Sequence, residues 1–171
     1  MVPARGCAQN DAMLSIRNAT AADAAEIVDM VGLLCLHEEK PLPAFTVEDF
    51  LRDCLGSHPA FSTLVAECDD KLVGYISFYW GYDLETACRG LHIADLFVQS
   101  VDRRAGVGGM LVAAVAKHCK NDGGNWVQWF CQKTNRLAFD FYQHLGAALE
   151  DDAVSFCLSG DRFMALINDK S

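Results

Sequence analysis

The feature of this sequence that most constrains its fold is an apolar strand that leads through a glycine-rich loop into a helix. An apolar run at 96–98 ends in a short polar turn, and two arginines then precede Gly106, Gly108 and Gly109. Residues 107–120 are apolar and rich in alanine, which favours a helix. Glycines let a backbone approach a ligand closely, and a helix N-terminus presents unpaired N–H groups with partial positive charge. The stretch therefore predicts a cradle for a phosphate-bearing ligand.

Two common phosphate-binding loops do not fit this stretch. A P-loop needs a lysine after its glycines, and here Met110 follows them. A dinucleotide-binding fingerprint needs a small residue at position 111, which is Leu111, and normally lies in the first strand–helix unit. The pattern that remains is Arg103-x-x-Gly106-x-Gly108 between a strand and a helix.

The apolar patterns on either side of the loop predict an α/β fold around one sheet. Thr20 with Asp23 resembles a capping box at a helix start, and the segment from Thr46 to Asp49 opens a second helix. The order mixes antiparallel strands with two strand–helix crossovers. The predicted elements are a strand at 14–17, helices at 20–39 and 46–56, strands at 62–67, 71–80 and 90–98, the helix after the glycine loop, a strand at 126–131, a helix at 135–145, and a closing hairpin with strands at 154–158 and 162–167.

The length of the chain indicates its domain organisation, and its net charge limits the partners that it can bind. We expect a single domain over residues 13–171, preceded by a flexible N-terminal extension at residues 1–12. Fourteen basic residues against twenty-three acidic ones give a net charge of −9. Such a surface repels nucleic acid and anionic membranes and favours a small cationic partner, although acidity also serves solubility alone.

The eight cysteines are scattered, without a C-x-x-C motif or clustering with histidine. This usage predicts reduced thiols in a cytoplasmic protein and no metal site. No apolar stretch reaches the roughly 18 residues of a membrane-spanning helix, so we expect no membrane association.

The downstream helix completes a recognisable pattern. Asn135, Ala138, Phe141-Tyr142 and Gly146 have the spacing N-x-x-A-x-x-F-Y-x-x-x-G. Together with the glycine loop, this resembles the GNAT superfamily of N-acetyltransferases, whose acetyl-CoA loop reads Arg/Gln-x-x-Gly-x-Gly/Ala. The resemblance covers about residues 13–168. It implies a single mixed, mostly antiparallel sheet that is splayed between the fourth and fifth strands, with helices on both faces.

The same resemblance implies acetyl-CoA as co-substrate and gives roles to particular residues. The backbone N–H of Val98 is expected to donate to the thioester carbonyl, and Tyr142 to act as the general acid that protonates the leaving sulfur. A phenol is protonated at pH 7 and able to donate. The residues expected to bind the cofactor are Phe97, Val98, Arg103, Arg104, Ala105, Gly106, Val107, Gly108, Gly109 and Asn135.

A narrower resemblance concerns the acceptor. Residues 51–67, 78–83 and 94–100 resemble the spermidine/spermine and thialysine N-acetyltransferase branch. This implies a primary amine of a polyamine-, diamine- or lysine-like acceptor, and a homodimer. Asp83 and Asp95 match acidic positions that hold the amine in that branch. Glu85 stands where the branch has a tryptophan, which adds a further negative charge near the expected acceptor.

The general base is the open question. The branch has a glutamate where this chain has Ala94. His92 lies two residues earlier, on the same strand face by a period of two, and Asp95 follows. We hypothesise that His92 or a water held by Asp95 deprotonates the amine. Open alternatives are an acetyltransferase for a protein amine or an aminoglycoside, and a CoA-binding module without catalysis.

Overall fold

The computed structural model describes residues 13–151 and 154–168, and the predicted extension at residues 1–12 lies outside them. One sheet contains five strands in the order of the sequence. They are β1 (Leu14–Asn18), β2 (Ser62–Cys68), β3 (Lys71–Asp83), β4 (Cys88–Val98) and β5 (Trp126–Trp129). The first four pair antiparallel, and β5 pairs parallel to β4. The predicted mixed, mostly antiparallel sheet is confirmed.

The helices are α1 (Ala24–His37), α2 (Val47–Asp53), α3 (Val107–Asn121), α4 (Arg136–His144) and α5 (Gly160–Asn168). The sheet and the first three helices belong to a compact unit that ends at Asn135. The last two helices belong to a second unit that begins at Arg136. One domain over residues 13–171 stays a prediction.

Helix α3 covers one face of the sheet because its apolar residues recur every four positions. Val107, Leu111, Val115 and Cys119 are all buried and pack against sheet residues such as Ile76. Such an i, i+4 stripe is the expected core face of a helix.

Helices α1 and α2 cover the opposite face. Ile27 and Met30 of α1 and Phe50 of α2 pack with Val65 and Tyr75 of the sheet, and each is at most 1% exposed. The predicted helices on both faces are therefore confirmed.

Strand β4 contains a bulge that decides which side chains share a face. Ser77 pairs with Asp95 and its neighbour Phe78 pairs with Ile93, so Ala94 is an extra residue in β4. An extra residue shifts the alternation of side chains by one position. His92 and Asp95, which a regular strand would place on opposite faces, consequently both lie on the face that α1 covers.

An ion-pair cluster ties β1 to the start of α1. Arg17 contacts Asp23 through two bonds of 2.7 and 2.8 Å and also donates to Glu67 of β2. Asp23 further accepts from the N–H and hydroxyl of Thr20, at 2.7 and 2.8 Å, which confirms the predicted capping box. The hydrogen bonds from Arg17 hold the pKa of Asp23 far below its usual range.

The predicted C-terminal hairpin is wrong. Residues 154–159 are irregular and Gly160–Asn168 forms α5. Phe163, Met164 and Ile167 have helical i, i+1, i+4 spacing, and short apolar runs do not distinguish a strand from a helix by themselves.

The thiol prediction needs one correction. One of the described cysteines, Cys68, is disulfide-bonded and not a reduced thiol. The free thiols in the described part of the chain are Cys35, Cys54, Cys88, Cys119, Cys131 and Cys157. Across the same residues, the helices are too short or too polar to cross a bilayer.

The Arg17 cluster gives a stability prediction. Asp23→Asn should lower the free energy of unfolding by about 2 kcal/mol at pH 7, since hydrogen bonds to charged groups contribute about 1.5–3 kcal/mol and Arg17 is partly solvated. Because the folded-state pKa of Asp23 is depressed, its contribution is present above the unfolded value near 4. The difference between variant and wild type should therefore shrink below about pH 4.

Asp49→Asn is the matched control, measured by denaturant unfolding across the same pH range. Asp49 caps α2 in the same Thr-x-x-Asp arrangement, but it and its partner Arg52 are more exposed than Asp23 and Arg17, so a smaller loss is expected. Equal losses for the two variants would contradict a special role for Arg17.

Candidate active site

The edge of β4 that faces β5 is only partly paired. Pairing runs from Gly90 with Trp126 to Ile93 with Trp129, and no strand of the described residues pairs with this edge beyond Ile93. The predicted splay between the fourth and fifth strands is thus present.

The direction of the Val98 N–H follows from its neighbour. The Gln99 N–H donates to the Val73 carbonyl of β3 at 2.8 Å. Successive N–H groups of a strand point to opposite edges. The N–H of Val98 therefore points away from β3, toward the edge that β5 has left.

Gly74 lets β3 come close to this end of β4. It pairs with Val98, and a Cβ at Gly74 would lie 2.6 Å from the Phe97 carbonyl oxygen. Any side chain at this position would push the two strands apart. The close approach fixes the end of β4 while its other edge stays open.

The glycine loop follows directly. Arg104 has φ 69° and Gly106 has φ 84°, and α3 begins at Val107. A left-handed conformation suits glycine but strains arginine. The first-turn N–H groups of a helix, here those of Val107, Gly108 and Gly109, have no intrahelical partner and lie at its positive end. This arrangement fits a diphosphate.

The two arginines differ in position. Arg103 Nε donates to the Val98 carbonyl at 3.0 Å, and the guanidinium carbon lies 5.8 Å from the centre of the Phe97 ring. Arg104 is exposed. Arg103 thus fastens the loop to the end of β4, Ala105 lies half-buried within the loop, and Arg104 extends into solvent.

Asp95 lies at a second part of the site, on the face that α1 covers. It is half-buried beside Tyr75, which pairs with Phe97 and is fully buried. Burial and then Glu38 raise the pKa of Asp95, while Lys40 lowers it. Burial and then Asp95 raise the pKa of Tyr75, whose hydroxyl has no hydrogen-bond partner. The hydroxyl is near enough to Asp95 for each group to affect the pKa of the other.

Glu38 and Lys40 lie close to Asp95, whereas the sequence favours a solvated helix end for Glu38 over a place beside the acceptor, and assigns no role to Lys40. They follow the C-terminus of α1, and their side chains form an ion pair at 2.5 Å. No local pattern connects it to Asp95, because they are more than fifty positions apart and only the packing of α1 on the sheet brings them together.

His92 is enclosed by aromatic rings. Its ring stacks on Tyr79 at 5.2 Å and meets the edge of Trp126 at 5.0 Å. A Cβ at Gly81 would lie 2.6 Å from His92 Nε2, so this glycine makes the space. The Nδ1 atom is buried without a hydrogen-bond partner. His92 lies two ladder positions, or about 7 Å, from Asp95 on the same face.

The structure does not bring Asp83 and Glu85 near Asp95. Asp83 accepts from the Glu85 N–H at 2.9 Å and from the Thr86 hydroxyl at 2.5 Å, and the Thr86 bond is the main cause of its lowered pKa. Asp83 lies six β3 positions from Ser77, the partner of Asp95, which is about 20 Å at the usual rise of a strand. Within one chain, Asp83 and Glu85 therefore do not lie in the same site as Asp95.

Asn135 ends the first unit, and its N–H donates to the Gln132 carbonyl at 2.9 Å. Tyr142 lies in α4 of the second unit, half-buried, with its ring 5.1 Å from that of Phe141. Gly146, with φ 82°, ends this helix as predicted. No group of three or more potential metal ligands occurs among the residues the structure describes.

Comparisons with known proteins agree with this geometry. The Acetyltransferase (GNAT) family matches residues 27–147. An L-ornithine N5-acetyltransferase of Arabidopsis thaliana is 32% identical over 98 residues, which are 57% of this chain but only 43% of that enzyme. A thialysine N-epsilon-acetyltransferase of Sus scrofa is 29% identical over 80% of this chain and 85% of its own length.

A solved structure is similar in fold. An aminoglycoside acetyltransferase from an uncultured soil metagenomic sample superposes with a TM-score of 0.72 at 22% identity, covering 86% of this chain and 97% of that one. At this identity the likeness concerns the fold alone.

The environment of Asp95 gives a prediction of stability against pH. Its folded-state pKa is raised, so its ionisation opposes folding as the pH rises through that value. Asp95→Asn should therefore be as stable as wild type near pH 4 and more stable at about pH 7–8. Denaturant unfolding across this range measures the difference.

Asp83→Asn is the control with the opposite sign. The pKa of Asp83 is lowered, so its charge favours the folded state and its removal should destabilise at neutral pH. An Asp95→Asn variant that is less stable than wild type at neutral pH would contradict the assigned environment.

Proposed function

Because the chain belongs to the GNAT family of acetyltransferases, we propose that it transfers acetyl from acetyl-CoA to a primary amine of a small cationic acceptor. The observation that carries this proposal is the open β4 edge at Val98, directly beside the glycine loop and the N-terminus of α3. An N–H at such an edge and an anion cradle next to it are what a CoA thioester requires.

The cofactor end acts through backbone groups. The loop from Arg103 to Gly109 holds the diphosphate, with Arg104 adding charge and Phe97 and Asn135 bordering the pantetheine. Acetyl-CoA supplies an acetyl group activated as a thioester. The N–H of Val98 donates to the carbonyl oxygen, where negative charge develops, and a preorganised donor of this kind is a large source of acceleration.

The acceptor end must bind an ammonium and remove a proton. Asp95 and Glu38 supply two carboxylates on the face covered by α1. An alkylamine has a pKa near 10.4, so only about 0.1% is neutral at pH 7. The raised pKa of Asp95 makes it a stronger base than an ordinary aspartate, and we propose that it takes the proton directly or through a water. His92, enclosed by rings, is the second candidate for this role.

Tyr142 is proposed as the general acid that returns a proton to the departing sulfur. The acceptor class is supported by the relatives, which are described as acting on ornithine and thialysine. Asp83 and Glu85 are proposed to attract the cationic acceptor from farther along the sheet. The homodimer and the cytoplasmic location stay predictions.

Release of free CoA thiol with a panel of amines tests the function. Ornithine, lysine, putrescine, spermidine and an aminoglycoside should be compared at equal concentration with acetyl-CoA. We expect turnover with at least one diamine or diamino acid. Turnover only with the aminoglycoside would show that the acceptor is an aminoglycoside and not a diamine or diamino acid. Thermal stabilisation by CoA without turnover of any amine would favour the binding-module alternative.

Val98 offers a sharp test of the donor. Val98→Pro removes an N–H that is not bonded to β3, and should lower kcat about 10²-fold to 10³-fold because one preorganised donor is lost. Steady-state kinetics measure this loss, and thermal melting checks the fold.

Gln99→Pro is the control. The φ of Gln99 is −50°, which suits proline, and the substitution removes the neighbouring N–H that bonds to Val73. It should cost about 1 kcal/mol of stability but retain kcat. If both variants lose turnover equally, the Val98 N–H has no special role.

A further inference from the structure

One charged side chain at the acceptor end has no part in the proposed reaction. Lys40 Nζ lies 2.5 Å from Glu38 Oε2, and the ammonium also lies in the field of the Asp95 carboxylate. The side chain of Lys40 is 51% exposed, against 20% for Glu38. A cation is therefore already present, and accessible, beside the carboxylates proposed to bind a cationic acceptor.

The backbone holds this cation in place. After α1, the Lys40 N–H donates to the Cys35 carbonyl at 2.9 Å and the Glu39 N–H donates to the Leu36 carbonyl at 3.2 Å. These two bonds form a Schellman turn, in which the residue after the helix cap is usually glycine. Here it is Glu39, with φ 55°. Strain of this kind at a non-glycine residue is concentrated at functional sites, and here it fixes the chain between Glu38 and Lys40.

The charges at this cluster follow a simple count. Glu38 and Asp95 contribute two carboxylates, and Lys40 contributes one ammonium. Tyr75 and Cys131 face the same cluster but stay neutral, because burial raises the pKa of each. A diamino acid at neutral pH carries two ammonium groups and one carboxylate, so each of its charges has a group of opposite charge in this cluster. A simple diamine has no carboxylate and would meet Lys40 only as a like charge.

We propose that Lys40 is a specificity-determining residue that selects a diamino acid over the corresponding diamine by pairing with the acceptor's carboxylate. Glu38 and Asp95 hold the ammonium groups, and Lys40 moves from Glu38 to the incoming carboxylate. This inference rests on the proposed function for the identity of the site, and it narrows the acceptor class.

Equilibrium binding with matched ligand pairs tests it. Ornithine and putrescine differ only in the α-carboxylate, as do lysine and cadaverine. Isothermal calorimetry on the full chain with CoA present should show tighter binding of the diamino acid in each pair. Lys40→Gln should weaken ornithine binding about fivefold, as expected for a half-exposed ion pair, and leave putrescine binding unchanged or tighter. Lys40→Arg should keep the preference, and Lys71→Gln, an exposed lysine at the start of β3, should change nothing.

The outcomes separate the two proposals. A preference that depends on Lys40 without turnover of any amine would overturn the proposed catalysis and support the site assignment. An unchanged ratio of ornithine to putrescine affinity in Lys40→Gln, or equal changes for both ligands, would overturn the role of Lys40. A wild-type chain that binds neither member of a pair would overturn it as well.

Discussion

The structure depends on the unequal pairing of the two edges of β4. On one edge, β3 follows β4 over its whole length, and Gly74 allows the close approach that holds the end of the strand. On the other edge, β5 is paired only as far as Ile93. Among the residues that the structure describes, no strand pairs with the backbone donors of this edge beyond Ile93, which is costly unless another group satisfies them. An open edge between two well-packed helical layers is thus a binding site by construction, and the glycine loop begins where that edge ends.

The proposed cofactor end and the proposed acceptor end of the site are built in different ways. The cofactor end is local: the strand, the loop and the start of α3 are consecutive in the sequence, and their contribution is mainly backbone N–H groups. The acceptor end is assembled from distant segments, since Glu38 and Lys40 follow α1 whereas Asp95 and Tyr75 lie in the sheet. Its charges are partly buried, and burial, followed by the neighbouring Glu38, raises the pKa of Asp95. A site made of consecutive residues suits a ligand that all relatives share. A site assembled from distant segments suits a ligand that differs between relatives.

This difference explains what the sequence could predict. Regular apolar spacing and glycine positions gave the sheet, the first four helices and the loop, because each depends on neighbours within a few residues. The extra residue at Ala94 was not predicted, since a bulge has no local signature in an apolar strand. Glu38 was expected at a solvated helix end and Lys40 was not singled out, because their proximity to Asp95 depends on packing. The hairpin predicted near the C-terminus was wrong, because Phe163 and its apolar neighbours fit both periods over so short a run.

The bulge at Ala94 makes β4 sensitive to the number of its residues as well as to their identity. Removal of one residue there would restore regular alternation and turn either Asp95 and Phe97 or His92 to the other face of the sheet. A gene that encodes this strand can therefore accept many substitutions at exposed positions, but a single-codon deletion would exchange the lining of the site with the core. In this chain, the length of the strand is as much a part of the candidate site as any side chain that it carries.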